Sequence, residues 1–412
     1  MELRFRASPG EQQALLDLPW DMPLAEWPEW YLVALPRGIS RHVVRFIRLE
    51  NRIYALKEVV ESLANREYQL LRDLERLNIP AVHAVGVITG RETHDGSPLD
   101  PILVTRHLQF SLPYRVLFAR MMKRETVDRL IDALVVLLAR LHLSGFYWGD
   151  CSLSNTLFRR DAGAFAAYLV DAETGELHRK LSPGQRSQDL ENARINIAGE
   201  LMDLQASGFL DETADAVATS DQVVERYESL WQELTEWEAF DVNDRWRIGR
   251  RVERLNELGF DVAELEIVTD IGGRTVHLQP KVVDPGHHRR RLLRLTGIDA
   301  QENQARRLLN DLDAYAAATD QQGEDEEIVA YHWVTDCYEP VVRAVPRELR
   351  GKLEGPEIYH EVLEHRWYLS EQAGQEVDIV DAARSYVEDI LRHKPDEHAV
   401  LEVGPTTPSE PV

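Results

Sequence analysis

The sequence predicts an α+β protein: an antiparallel sheet, then a helical unit, then a further, mostly helical α+β domain. Three observations predict it. Residues 42–49 and 52–59 are rich in Val, Ile, Leu and Tyr and flank the turn residue Asn51, a hairpin signature. Residues 126–144 repeat Leu130, Leu134, Leu137, Leu138 and Leu141 at helical spacing. The 412 residues exceed one ordinary core, and a second succession of helix, hairpin and helices begins near Ser220.

In chain order, residues up to Pro28 are acidic and rich in Trp and Pro, and read as an irregular lead-in. Residues 31–35, 42–49 and 52–59 read as a three-strand meander. Residues 61–77 carry leucines at helical spacing and are stopped by Pro80. Residues 84–88 and 101–106 read as two more strands. The helix over 126–144 ends at Gly145, a natural C-terminal breaker. Short strands follow at 155–159 and 167–170 around a turn at 161–163. Helices are expected at 195–205 and 221–234.

The further domain opens with a helix over 247–258 and a hairpin over 262–269 and 274–283, turning at Gly272-Gly273. Helices are expected at 288–295, 301–315, 356–373 and 377–393. Residues 316–327, rich in Ala, Gln and acids, read as a linker. The Pro- and Glu-rich tail reads as disordered.

The charge balance is 47 basic against 71 acidic residues, a formal net charge of -24. A field this negative opposes broad nucleic-acid binding and attachment to anionic lipid. Cys151 and Cys337 are the only cysteines, too few for a disulfide framework or a zinc pair. Neither a signal peptide nor a transmembrane segment is read, so a cytoplasmic location is expected.

Three features carry chemistry. Lys57 lies in the apolar strand Tyr54-Ala55-Leu56-Lys57-Glu58-Val59, and a buried ammonium needs a partner. Glu67, ten residues later on the next helix, can supply it. Asp150 and Asn155 stand five apart in Trp148-Gly149-Asp150-Cys151-Ser152-Leu153-Ser154-Asn155, between a helix and a strand. The Asp can accept a proton and the Asn can ligate Mg²⁺. Asp171 ends an apolar strand sixteen residues past Asn155, where it can bind a phosphate-bridging metal. Taken singly, each also fits a bland reading: an edge-strand lysine, a polar turn, a strand-terminal aspartate.

Taken in order, these features resemble the protein-kinase-like fold. The resemblance is particularly to the lipopolysaccharide-core (Kdo) kinase branch, near RIO-type and aminoglycoside-type phosphotransferases. Leu138-Ala139-Arg140-Leu141-His142 through Leu157 is similar to that family's helix and catalytic loop, and the resemblance covers residues 31 to 205. It implies a bilobal arrangement: lead-in and sheet lobe over 1–108, helical lobe over 109–219, further domain over 220–393, and tail over 394–412. The further domain resembles a DUF4032-type domain of unknown function attached to such cores in actinobacterial proteins.

The resemblance further implies ATP and Mg²⁺ as cofactors. Lys57 would contact the phosphates and pair with Glu67, Asp150 would be the base, and Asn155 and Asp171 would hold Mg²⁺. Gly38 and Ser40 would lie in the phosphate loop. The hinge from Val104 through Arg106 to Leu108 would offer backbone groups to adenine.

The sequence departs from the family pattern at three places. Trp148 stands where a His or Tyr is usual. Ala172-Glu173 follows Asp171 in place of Phe-Gly. The phosphate loop has one glycine, leaving Arg37 and Arg41 to help by charge. The expected function is an ATP- and Mg²⁺-dependent phosphotransferase acting on a hydroxyl of a small or glycosyl acceptor. The alternative is a pseudokinase, a nucleotide-binding regulatory or scaffold protein. His287-His288-Arg289-Arg290-Arg291 is the densest basic run; it is a candidate site for an anionic ligand, or else Arg289, Arg290 and the nearby Arg294 pair with the abundant acids.

Overall fold

The computed structural model describes residues 3–7, 15–35, 41–49, 52–120, 124–211, 214–241, 244, 246–269 and 275–397. Strands β1 (Arg4–Ala7), β2 (Val43–Leu49), β3 (Arg52–Glu58), β4 (His83–Thr89) and β5 (Ile102–Arg106) form one antiparallel sheet, ordered β1-β4-β5-β3-β2. Strand alternation sends Tyr54, Leu56 and Val104 into a core with Leu24, Trp20 and Trp27. It sends Ala55, Lys57, Leu103 and Thr105 to the other face, which lines a cleft.

Two expectations for this lobe are corrected. The lead-in contains β1, whose Arg4 to Ala7 pair with Thr89 to Gly86. The strand expected at 31–35 does not form. Pro28 (φ -58°) opens a 3₁₀ turn over Glu29–Tyr31, and Leu32 makes only an isolated bridge to Ile47. The segment from Leu15 to Tyr31 is held by the buried guanidinium of Arg91. That group donates to the carbonyls of Trp20, Met22 and Asp100 and pairs with Glu58 at 2.7 Å.

Helix α1 (Glu61–Arg76) buries Ala64, Glu67, Tyr68, Leu71 and Leu74, one face at helical spacing. The helical lobe follows: β6 (Ser111–Pro113), α2 (Tyr114–Arg120), α3 (Arg124–Leu143), β7 (Phe146–Tyr147), β8 (Thr156–Asp161), β9 (Ala164–Leu169), β10 (Glu176–Leu177), α4 (Pro183–Ala206) and α5 (Ala216–Thr235). Gly145 ends α3 with φ 84°, and a Cβ there would sit 2.1 Å from the His178 carbonyl oxygen. Strands β6, β8 and β9 form a small antiparallel sheet. Helix α4 starts twelve residues before its expected position, because Ser182 and Gln185 form a capping box with Pro183 at the first turn. The boundary expected at residue 219 falls inside α5.

Next come β11 (Glu238–Asp241), α6 (Trp246–Glu257), β12 (Phe260–Thr269) and β13 (Thr275–Pro285), a three-stranded sheet with its helix. Leu255 and Phe260 join the core of the helical lobe. Helices α7 (His287–Thr296), α8 (Glu302–Ala318), α9 (Glu326–Trp333), α10 (Glu339–Ala344), α11 (Gly355–Ala373) and α12 (Ile379–Asp389) enclose a separate core around Leu308, Trp333, Tyr359 and Tyr386. The segment expected as a linker joins α8 to α9, and both helices contribute to that one core. The tail expected to be disordered from 394 begins in order: Glu397 is buried against Arg160. The tail from 398 onward lies outside the described residues.

Candidate active site

Lys57 is 9% exposed on β3. Its ammonium has three protons, and three carboxylates take them. Glu67 Oε2 on α1 lies at 3.0 Å, Asp171 Oδ2 at 2.9 Å and Glu173 Oε2 at 2.9 Å. Burial acts to lower the Lys57 pKa, but the charges of Glu67 and Asp171 and the bonds from Glu173 and Asp171 outweigh it, and the net direction is up. Burial and the Asp171 charge push Glu67 up to about 8, although Lys57 opposes them. Both shifts have one origin: three carboxylates share one ammonium in a poorly solvated place. Glu67, Asp171 and Glu173 also bring ligand oxygens within 4.8 Å of one another.

The loop from Trp148 to Asn155 is held by one face of α4. Asp189 accepts from the Trp148 and Gly149 amides at 2.8 and 2.7 Å. Asn192 donates to the Gly149 carbonyl at 3.2 Å. Asn196 donates to Asp150 Oδ1 at 3.0 Å and to the Cys151 carbonyl at 3.2 Å. Glu200 accepts from the Leu153 and Ser154 amides at 2.7 and 3.0 Å. Residues 189, 192, 196 and 200 share one helix face by the 3.6-residue repeat. Asn155 closes the loop, donating to the Asp150 carbonyl at 3.0 Å and to its Oδ2 at 3.2 Å.

The two groups line one cleft of about 700 Å³ between the lobes. Lys57 and Glu67 border it from the sheet lobe, and Asp150, Asn155, Asp171 and Glu173 from the helical lobe. Trp148 ties the loops together: its buried indole donates to the Asp171 carbonyl at 2.9 Å. Arg106 and Leu108 border the cleft. Val104 does not. It is in the centre of the sheet, paired with Leu56 and Gly86, and its side chain enters the core on the other face. Gly38 and Ser40 lie outside the described residues.

Residues 31–205 match the lipopolysaccharide kinase (Kdo/WaaP) family model. Residues 229–391 match the domain of unknown function DUF4032. The chain is a kinase-like region followed by a DUF4032 domain. A solved structure titled "WaaP in complex with acyl carrier protein" is similar at 16% identity and TM-score 0.37, covering 63% of this chain and 99% of that one. Among curated proteins, none matches the chain.

In the kinase-like region, the contributions of Asn196 and Glu200 went unread in the sequence. The capping signal at Ser182-Pro183-Gly184-Gln185 marks the start of the helix that aims them. In the DUF4032 domain, the candidate anion site is corrected, because the protein's own acids neutralise it. His287 pairs with Asp261 at 3.1 Å, His288 with Glu302 at 2.8 Å, Arg289 with Asp299 at 2.9 Å and Arg291 with Glu326. Arg290 donates to the Pro285 carbonyl. The run fastens α7 to its neighbours.

Proposed function

We propose that the chain transfers the γ-phosphoryl group of ATP, in the presence of Mg²⁺, to a hydroxyl of a small or glycosyl acceptor. One observation carries this reading. Lys57 is paired with Glu67 and Asp171 in the same cleft that Asp150 and Asn155 border.

The donor set fits a magnesium nucleotide. Asp171, Glu173 and Asn155 offer only oxygen ligands, which suit a hard cation. Three carboxylates around one ammonium leave negative charge that a divalent ion neutralises. Asp171 and Asn155 would hold that ion, with Glu173 as a further ligand. When bound, Mg²⁺ supplies charge neutralisation at the phosphate oxygens. Lys57 binds phosphate oxygens, and Glu67 keeps its ammonium aimed into the cleft. Asp150, steadied by Asn155 and Asn196, accepts the proton of the acceptor hydroxyl. Arg106 and Leu108 would border the adenine. The reaction is assigned to the cytoplasm, where ATP is abundant and Cys151 and Cys337 stay free thiols. Among the described residues, no helix is long and apolar enough to cross a membrane.

One observation favours a second reading, a nucleotide-binding protein without transfer: Glu173 takes the Lys57 proton that a phosphate needs. The test is magnesium-dependent ATP turnover, followed by phosphorus NMR, in wild type and Asp150→Ala. Turnover that disappears in a folded Asp150→Ala chain supports transfer. Full turnover in that variant, or none in wild type, contradicts it.

A further inference from the structure

The β8–β9 hairpin has the two candidate metal ligands at its open end. Asn155 precedes β8, and its carbonyl accepts from the Val170 amide at 3.0 Å, one residue before Asp171. At the closed end, Ala162 and Gly163 take left-handed φ values of 51° and 81°. That two-residue turn suits the twist of the strands.

This tip is not left to solvent. Asp161 is 2% exposed. Its Oδ1 accepts from the Gln304 amide in the first turn of α8 at 2.7 Å, and its Oδ2 from Asn303 Nδ2 at 2.9 Å. The Gln304 side chain donates to the Arg160 carbonyl at 3.0 Å and to Glu357 on α11 at 2.7 Å. Glu357 also accepts from the Ala162 amide at 2.9 Å. Arg160 pairs with Glu397 at 2.9 Å, and Arg159 pairs with Glu354. Along β9, the Tyr168 hydroxyl donates to Gln301 at 2.7 Å. Three separated stretches of the C-terminal half therefore converge on one turn, while that half keeps its own apolar core.

We propose that the DUF4032 domain acts in cis as a positioning element, gripping the hairpin tip so that Asn155 and Asp171 stand in register at its base. The proposal rests on the nucleotide-binding reading above. A short hairpin is marginal alone, and β6 adds only the stretch Ser111–Pro113 to it. A buried polar network holds one geometry when every member is satisfied and becomes costly when one partner is lost. Rigid strands carry that constraint to the base, six residues away along β8. Asp161, Gln304 and Glu357 are positioning residues; none borders the cleft. Linkage makes the coupling reciprocal: a metal nucleotide at the base tightens docking at the tip.

The test uses the full chain as wild type, Gln304→Ala and Asp171→Ala, with ADP binding measured with and without magnesium, and hydrogen exchange in parallel. Gln304→Ala should speed exchange in β8 and β9 while α3 stays protected. It should weaken ADP binding about tenfold with magnesium and leave metal-free ADP binding unchanged. That split separates positioning from general destabilisation. If Gln304→Ala does not fold, Arg160→Ala, which removes the hydrogen bonds to Glu397 and a positive charge near Glu357 and Glu361, should give the same pattern more mildly. If Asp171→Ala abolishes the magnesium effect and the tip variants leave it intact, the positioning role is overturned and the nucleotide reading survives. A wild type without a magnesium effect overturns both. Unchanged hairpin exchange in a tip variant overturns the grip itself.

Discussion

The Lys57 ammonium and the Asp171 carboxylate meet at 2.9 Å, although 114 residues separate them in the chain. The contact joins the sheet lobe to the loop after β9 within the cleft. Lys57→Met keeps most of the volume and removes the charge. It should weaken nucleotide binding by at least about tenfold, or about 1.4 kcal/mol. Calorimetric titration with ADP and magnesium checks this, and unchanged affinity would separate Lys57 from the nucleotide.

Glu173 competes for the same ammonium. Glu173→Ala should free one Lys57 proton and tighten metal-free ADP binding, roughly threefold to tenfold, as expected for one charge-assisted bond of ~1 kcal/mol in a part-buried site. With magnesium the gain should shrink or reverse, because a candidate metal ligand is lost. Equal gains with and without magnesium would mean that Glu173 never touches the metal.

Asn196 fixes one oxygen of Asp150 from the wall of the cleft, donating to Oδ1 at 3.0 Å. Asn196→Ala should lower ATP turnover by about tenfold to a hundredfold, the range for a misplaced catalytic group. The KM for ATP should stay within about twofold of wild type, since binding groups are untouched. A raised KM with unchanged kcat would assign Asn196 to binding instead.

Burial raises the Asp161 carboxyl to about 7, even though Gln304 and Asn303 donate to it. In the unfolded chain the group titrates near ~3.9. Between those values the folded state holds a proton that the unfolded state has lost. The stabilisation is therefore full below the unfolded pKa and lost as pH rises through about 7. Thermal unfolding should fall from about pH 5 to about pH 8 more steeply in wild type than in Asp161→Asn. Parallel profiles would show that Asp161 ionises freely in the fold.

Arg91 organises the Trp-rich segment of the sheet lobe, and its side chain is fully buried. Arg91→Met takes the guanidinium from Glu58 and from three carbonyls, although Glu58 keeps the Leu24 amide and Met22 the Trp27 indole as donors. The expected loss is about 3–5 kcal/mol for a broken buried pair. Urea unfolding read through the fluorescence of Trp20 and Trp27 measures it, and a loss under about 1 kcal/mol would show that the segment holds itself in place.

Much of the site was legible because its chemistry is local in type and ordered in sequence. Lys57 on an apolar strand, Glu67 on the next helix, the Asp150 to Asn155 loop and strand-end Asp171 each announce themselves by an unusual polar residue in an apolar setting. The residues that steady them were less legible. Asn196 and Glu200 matter only because α4 is one continuous helix from Pro183, and an apolar pattern beginning at Ile195 hides its first half. Strand β1 was missed because four residues, Arg4 to Ala7, give too short a pattern; pairing with β4 supplies the order. For the basic run at 287–291 the sequence leaves an anion site and pairing with acids both open, because the partners Asp261, Asp299, Glu302 and Glu326 that decide for pairing are not marked by any local pattern. The same holds for Asp161, a plain turn residue until Gln304 and Glu357 close over it.

The most direct measurement is the thermal shift produced by ATP with magnesium in wild type, set beside Asp171→Ala and Lys57→Met. Nucleotide that binds only the folded state must raise the midpoint, by an amount that grows with the logarithm of its affinity. The account predicts a rise in wild type that depends on magnesium and survives without it only in part, a loss of the magnesium-dependent part in Asp171→Ala, and a smaller rise in Lys57→Met. A rise of equal size in all three chains, or none in wild type, would contradict it.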